Sequence, residues 1–255
     1  MIGQGVRILI ALLVLGPVFA PASAEAPARY GYRIVAAYPH DAAAFTQGLV
    51  FHGGFLYEST GRFGASSVRK VELETGRVVN IRELPENRFG EGLTVVGDRL
   101  VQLTWRSRTG YLYDLENLEP AGQFHYPTEG WGLAYDGERL LLSDGSATIY
   151  LMDPETFGLT GRIAVHDRGR SVSRLNELEF VNGFIYANVW LSTRIAKIDP
   201  RSGRVAGWIE LAGLVPPASS GADVLNGIAY ERNSGTFLVT GKLWPRLFMI
   251  NIVAQ

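Results

Sequence analysis

The sequence predicts an all-β fold, a five-bladed β-propeller, and three observations predict it. One short phrase, an anchor residue followed by a hydrophobic strand, recurs at Gln47-Gly48-Leu49-Val50-Phe51, Glu91-Gly92-Leu93-Thr94-Val95, Trp131-Gly132-Leu133-Ala134-Tyr135, Asn176-Glu177-Leu178-Glu179-Phe180 and Asn226-Gly227-Ile228-Ala229-Tyr230. Successive anchors are 44, 40, 45 and 50 residues apart, the range of a repeat that builds one four-stranded blade. Composition agrees: 30 glycines, 11% aromatic and 47% hydrophobic residues suit many strands and tight turns.

In chain order, the first segment reads as a leader. Arg7 precedes an apolar run at 8–15, a Gly16-Pro17 break and then Ala22-Ser23-Ala24, the pattern of a secretory signal cut after Ala24. The run is too short for a good membrane span, so residues 25–255 are expected as one exported domain. The bacterial character of the leader favours the periplasm, with the extracellular medium as the other destination. Residues 30–38 alternate like a strand.

Each anchor strand then runs into a turn: His52-Gly53-Gly54, Gly97-Asp98-Arg99, Asp136-Gly137-Glu138, Asn182-Gly183 and Arg232-Asn233-Ser234-Gly235. The second strand therefore returns antiparallel beside the first. Third strands are expected at 68–73, 110–115, 147–152, 194–198 and 246–250, and fourth strands near 78–84, 122–126, 159–165 and 204–211. The last repeat lacks its fourth. The 30–38 segment is expected to supply it, completing the last blade and closing the ring.

The repeat also predicts which side chains meet. Fourteen residues after the first four anchors stand Gly61, Trp105, Gly145 and Trp190, and sixteen after the last, whose turn is two residues longer, stands Lys242. These ten positions should share one face. They gather one carboxylate (Glu91), one ammonium (Lys242), three amides (Gln47, Asn176, Asn226) and three of the chain's five tryptophans (Trp105, Trp131, Trp190). Aromatic walls with a few convergent polar groups describe a small-molecule or peptide-end pocket. A lone carboxylate among apolar rings should titrate high, which suits proton transfer near neutral pH.

Composition excludes several classes. Removing Arg7 with the leader leaves 23 basic against 25 acidic residues, so there is no electrostatic reason to expect nucleic acid or an anionic membrane as partner. With no cysteine, neither a lipid anchor on cysteine nor a disulfide framework is possible. The four histidines, His40, His52, His125 and His166, show no paired ligand spacing and read as turn or rim residues, so neither metal nor other cofactor is expected. Asp144, in a Gly-flanked turn, reads as a structural acceptor, and Asn226 likewise as structural.

At these phrases the chain resembles the plant-type glutaminyl-peptide cyclotransferases, a family of plants and bacteria. The resemblance runs over residues 32–251 and is carried by Phe45-Thr46-Gln47-Gly48-Leu49, Phe89-Gly90-Glu91-Gly92-Leu93-Thr94, Glu129-Gly130-Trp131-Gly132-Leu133, Ser143-Asp144-Gly145-Ser146, Leu175-Asn176-Glu177-Leu178-Glu179 and Leu225-Asn226-Gly227-Ile228-Ala229. It implies a five-bladed propeller that converts N-terminal glutaminyl residues of peptides and proteins to pyroglutamate with release of ammonia. It also implies a pocket at the channel mouth formed by Phe45, Gln47, Phe89, Glu91, Trp105, Trp131, Asn176, Trp190 and Lys242. On that reading Glu91 is the general base and then acid. Lys242, Gln47 and Asn176 donate to the substrate carbonyls, and the aromatic residues wall the pocket.

Two other readings of the same face stand beside it. A non-catalytic exported propeller would bind a peptide or protein without turnover. A calcium-dependent lactonase-like ring would also gather Glu and Asn at its mouth, but an ammonium at Lys242 would repel a divalent ion. A monomer is expected.

Overall fold

The computed structural model describes residues 26–217 and 221–255. The expected leader, 1–24, lies outside the described residues. Strand β1 (Ala28–Pro39) opens the fold, followed by a four-stranded antiparallel sheet of β2 (Thr46–His52), β3 (Phe55–Thr60), β4 (Ser67–Glu72) and β5 (Val78–Glu83). A second such sheet holds β6 (Gly90–Val96), β7 (Arg99–Thr104), β8 (Thr109–Asp114) and β9 (Pro120–His125), and a third β10 (Leu133–Tyr135), β11 (Leu140–Ser143), β12 (Thr148–Met152) and β13 (Leu159–Ala164). After a small hairpin, β14 (His166–Asp167) with β15 (Arg170–Ser171), come β16 (Leu175–Val181), β17 (Phe184–Val189), β18 (Arg194–Ile198) and β19 (Val205–Glu210). A 3-10 turn at Ala212–Leu214 precedes β20 (Leu225–Glu231), β21 (Thr236–Gly241) and β22 (Arg246–Ala254).

The hairpins form where their turn residues allow it. Asn182 and Gly183, between β16 and β17, both take positive φ (49° and 81°), the backbone that a two-residue turn needs to match the twist of its strands. Apolar residues then fill the space between neighbouring sheets. Tyr57 and Val68 of the first sheet meet Leu93, Leu100 and Tyr113 of the second, while Leu49, Leu56 and Val71 meet Ala229 and Leu238 of the last run.

The N-terminal strand does more than the sequence suggests. As expected, β1 pairs antiparallel with β22, supplying the fourth strand of the last run. Three residues of β1 also pair in parallel with β19, at Ala28↔Gly207, Arg29↔Trp208 and Tyr30↔Ile209. The last two runs are thereby joined into one eight-stranded sheet, ordered β16-β17-β18-β19-β1-β22-β21-β20. Gly207 permits this contact, because a β-carbon there would strike the ring of Tyr30. The 2-residue strands of the β14–β15 hairpin were also not foreseen.

The first strand of each run packs beside its neighbours: β2 touches β6 and β20, β10 touches β6 and β16, and β16 touches β20. Glycine makes the approach possible. A β-carbon on Gly92 would overlap the backbone of Gly132 and Leu133, and one on Gly132 the Asn176 carbonyl. In the fourth run Glu177 replaces this glycine. Its buried carboxylate accepts the Leu49 N–H (3.2 Å) and the Ile228 N–H (2.8 Å), tying β16 to β2 and β20.

Candidate active site

Four of the five anchors sit in β-bulges. The register slips between Thr46 and Gly48, between Gly90 and Leu93, between Leu175 and Leu178 and between Leu225 and Ile228, so Gln47, Glu91, Asn176 and Asn226 each fall at a break in the ladder. A bulge bends its strand and re-aims a side chain. Just beyond, one hydrogen bond repeats: Gly61, Trp105, Trp190 and Lys242 donate their N–H to the carbonyls of Phe45, Phe89, Arg174 and Val224 at 2.8, 3.0, 2.8 and 2.9 Å. In these four runs the second strand thus ends beside the residue two before the anchor.

The outcome is one open-mouthed cavity of about 550 Å³. All nine residues expected at the site line it: Gln47, Glu91, Asn176 and Lys242 as polar groups, and Phe45, Phe89, Trp105, Trp131 and Trp190 as walls. Gly61 and Gly145 face it without lining it, lying against the rings of Phe89 and Trp131. The walls interlock edge to face, Phe45 on Phe89 at 6.2 Å and Trp131 on Trp190 at 5.7 Å between centroids. The Lys242 ammonium lies 4.7 Å from the centroid of Phe45, a cation–π contact.

Sequence reasoning missed Arg106, Glu129, Leu191 and Asp223, which also line the cavity. Glu129 is the most consequential. One of its oxygens accepts both the Trp105 indole N–H (2.8 Å) and the Trp131 indole N–H (3.2 Å), and the other accepts from Arg106 at 3.2 Å. It holds two walls in place and adds a second negative charge. Its position could have been found, since it stands two residues before its anchor, as Phe45 and Phe89 do.

The two central ionisable groups are both buried, Glu91 at 4% and Lys242 at 6% exposure. Burial pushes the Glu91 carboxyl well above the ordinary carboxylate range; the Lys242 ammonium opposes this and the Glu129 charge adds to it. Burial likewise pulls Lys242 below the usual lysine value, against the opposing pull of Glu91 and Asp223. Glu91 also accepts a hydrogen bond from the Gln47 amide at 3.1 Å. That bond revises the expectation for Gln47, whose amide is engaged with Glu91 rather than only with a substrate carbonyl. The Asn176 side-chain oxygen is buried and has no hydrogen-bond partner among the described residues.

Two structural readings can be checked here. Asp144 is a turn acceptor as expected, taking the Ser146 N–H at 3.0 Å and the Thr128 hydroxyl at 3.1 Å. His40 is not at the rim. It is buried behind the site, with Nδ1 2.6 Å from the Trp244 carbonyl and Nε2 3.0 Å from Glu58, whose carboxylate also accepts from Thr46 at 2.7 Å. This network braces the two loops that carry Gln47 and Lys242.

Comparison with known proteins points one way. Residues 8–252 match the family described as Glutamine cyclotransferase. Over 225 residues the chain is 48% identical to a curated glutaminyl-peptide cyclotransferase of Arabidopsis thaliana, covering 86% of this chain and 70% of that protein. The crystal structure of Myxococcus xanthus glutaminyl cyclase superposes with a TM-score of 0.84 at 41% identity, covering 90% of this chain and 99% of that one. The β-propeller domain of Cps50 (Swd1) from Myceliophteria thermophila, at 11% identity, TM-score 0.52 and coverage of 86% and 99%, shares the fold alone. A pocket of one acid, one amine and indole walls on an all-β, propeller-like frame, together with these matches, leads to one statement: the chain belongs to the glutamine cyclotransferase family.

Proposed function

We propose that this pocket performs glutaminyl-peptide cyclotransferase chemistry through proton transfer by Glu91. In the reaction the α-amine of an N-terminal glutamine attacks its own side-chain carboxamide carbon, a C–N bond forms, the C–N bond to the amide nitrogen breaks, and ammonia leaves. The nucleophile comes with the substrate, so the enzyme holds the bent conformer and moves protons. Glu91 takes a proton from the attacking amine and returns it to the departing nitrogen, base first and acid second. Its raised pKa suits both halves. The Lys242 ammonium stabilises the oxyanion of the tetrahedral intermediate. The Asn176 side-chain amide donates to a substrate carbonyl, and Gln47 holds Glu91. The five rings exclude water and press the side chain into its reactive bend.

The observation that carries this reading is the coincidence of Glu91 and Lys242, both buried, inside one aromatic cavity. We also propose five blades: the cyclic packing of β2, β6, β10, β16 and β20 and the four-strand run that follows each support that count. A metal-independent reaction is supported by the Lys242 ammonium lining the same cavity as Glu91, a charge that would repel a divalent ion. Export to the periplasm is supported by the leader-like sequence at 1–24. The test is a Gln-initiated dipeptide incubated with purified protein, with ammonia and the cyclised product both measured. Equal release with and without chelator is expected; release abolished by chelation, or saturable binding without release, overturns the reading.

A further inference from the structure

Two side-chain amides lead from a fixed backbone carbonyl to Glu91. Asn226, fully buried, donates from its side-chain nitrogen to the Thr46 carbonyl (3.0 Å) and to the Gln47 side-chain oxygen (3.3 Å). Gln47, 4% exposed, donates in turn from its side-chain nitrogen to Glu91 (3.1 Å). A backbone carbonyl is an acceptor in every circumstance, so the group facing Thr46 must be the NH₂ of Asn226. That NH₂ also faces Gln47, so the carbonyl end of Gln47 must turn toward it. The Gln47 NH₂ is then the end left for Glu91. A reversed Gln47 would place two donors against each other at Asn226 and a carbonyl dipole against the carboxylate at Glu91.

We infer that Asn226 is a positioning residue for the cyclisation reaction, fixing the orientation of the Gln47 amide so that it always presents N–H to Glu91. The inference rests on the proton-transfer role proposed for Glu91. A donor held on the carboxylate favours its charged form, and so keeps the base available in a site where burial works the other way. Beyond Thr46 and Gln47 the Asn226 side chain has no further hydrogen-bond partner among the described residues, its carbonyl oxygen being buried and unpaired. It is not a lining residue, and it acts on the reaction only through Gln47. Other groups acting on Glu91 come from separate elements, Lys242 after β21 and Glu129 before β10, while the Tyr126 hydroxyl after β9, bonded to the Thr104 carbonyl, is itself raised by burial and by the Glu91 charge.

The test titrates the Glu91 carboxyl directly by carbon-13 NMR, assigned with Glu91→Gln, in the wild type, Asn226→Leu, Gln47→Leu and the double variant. The full mature chain is used, with a thermal melt on each protein to establish that it is folded. Asn226→Leu should raise the Glu91 midpoint by about half a unit to one unit, Gln47→Leu by a similar amount, and the double variant by no more than Gln47→Leu alone. In parallel, kcat on a Gln-initiated dipeptide should fall about tenfold in Asn226→Leu, with KM within a few-fold of wild type. A midpoint in Asn226→Leu equal to that of the wild type, or shifts that simply add in the double variant, overturns the inference. Should Asn226→Leu fail to fold, Asn226→Ser, smaller and too short to reach Gln47, is read in the same way. The titration reads the relay whether or not the wild type releases ammonia, so loss of the enzymatic reading and loss of this one are separate results.

Discussion

A single charge at Glu129 does two jobs that can be taken apart. Changing Glu129 to Gln keeps a carbonyl oxygen for the two indole N–H groups but removes the negative charge that helps hold the Glu91 carboxyl up. In the proposed mechanism the base works ionised, so activity should be lost as pH falls through the Glu91 pKa. Without Glu129 that pKa drops, and the acid limb of kcat should move to lower pH. The substrate amine titrates near 7.7–8.0 in ordinary peptides, but it is common to both enzymes and cancels in the comparison. An acid limb that stays in place in Glu129→Gln would separate the two carboxylates energetically. In the same cavity, Lys242→Met should cost about 10²–10³-fold in kcat if the ammonium stabilises the oxyanion, a loss on the scale of one oxyanion donor. Steady-state kinetics on the same dipeptide check it, and a change confined to KM would assign Lys242 to binding.

Among elements, the paired loops behind the site carry a pH signature of their own. Burial would lower the His40 pKa, but the Glu58 carboxylate and the Trp244 carbonyl outweigh it and the net direction is up. Burial would raise Glu58, but His40, then Arg69 and the Thr46 hydroxyl, bring it down. With His40 raised, its contribution is complete below its unfolded pKa of about 6.5 and is lost as pH rises through the folded value. With Glu58 lowered, its contribution is complete above about 4.3 and is lost as pH falls through the folded value. The pair therefore contributes most between about pH 4.3 and 6.5. Replacing His40 by Ala strands a buried carboxylate and should cost about 3–5 kcal/mol, seen as a fall in Tm that is largest inside that window. A Tm difference that does not vary with pH would show that His40 is neutral in the fold.

The strands themselves were largely legible, because turn glycines and alternating apolar residues are local signals. So was the gathering of Gln47, Glu91, Trp105, Asn176, Trp190 and Lys242, since antiparallel return plus a constant offset determines it. What the pattern hid were events between elements. Bulges at the anchors change register without changing the residue count, and the ion pair of His40 spans 18 residues to Glu58 with a third partner 204 residues away at Trp244. A lone histidine in a sequence carries no mark of such partners. Asn226 has the same history, reading as a turn residue until the Thr46 carbonyl is placed beside it.

At the scale of the whole molecule, β1 is the joint of the ring. It occupies the gap between β19 and β22, among the described residues the one place where two runs share a continuous sheet. A chain beginning at residue 26 should unfold in one cooperative thermal transition. Beginning at residue 40 instead would leave the edges of β19 and β22 bare, and such edges recruit other chains. We expect that truncation to aggregate on size-exclusion chromatography, and a well-behaved monomer would show that closure does not depend on β1.

Distant segments converge so that one buried acid can shuttle a proton within an aromatic cavity, and Glu91→Gln tests that claim most directly. Ammonia release from a Gln-initiated dipeptide should fall by about 10²–10⁴-fold in a variant that melts like the wild type. Turnover within a few-fold of wild type in a folded Glu91→Gln protein would contradict it.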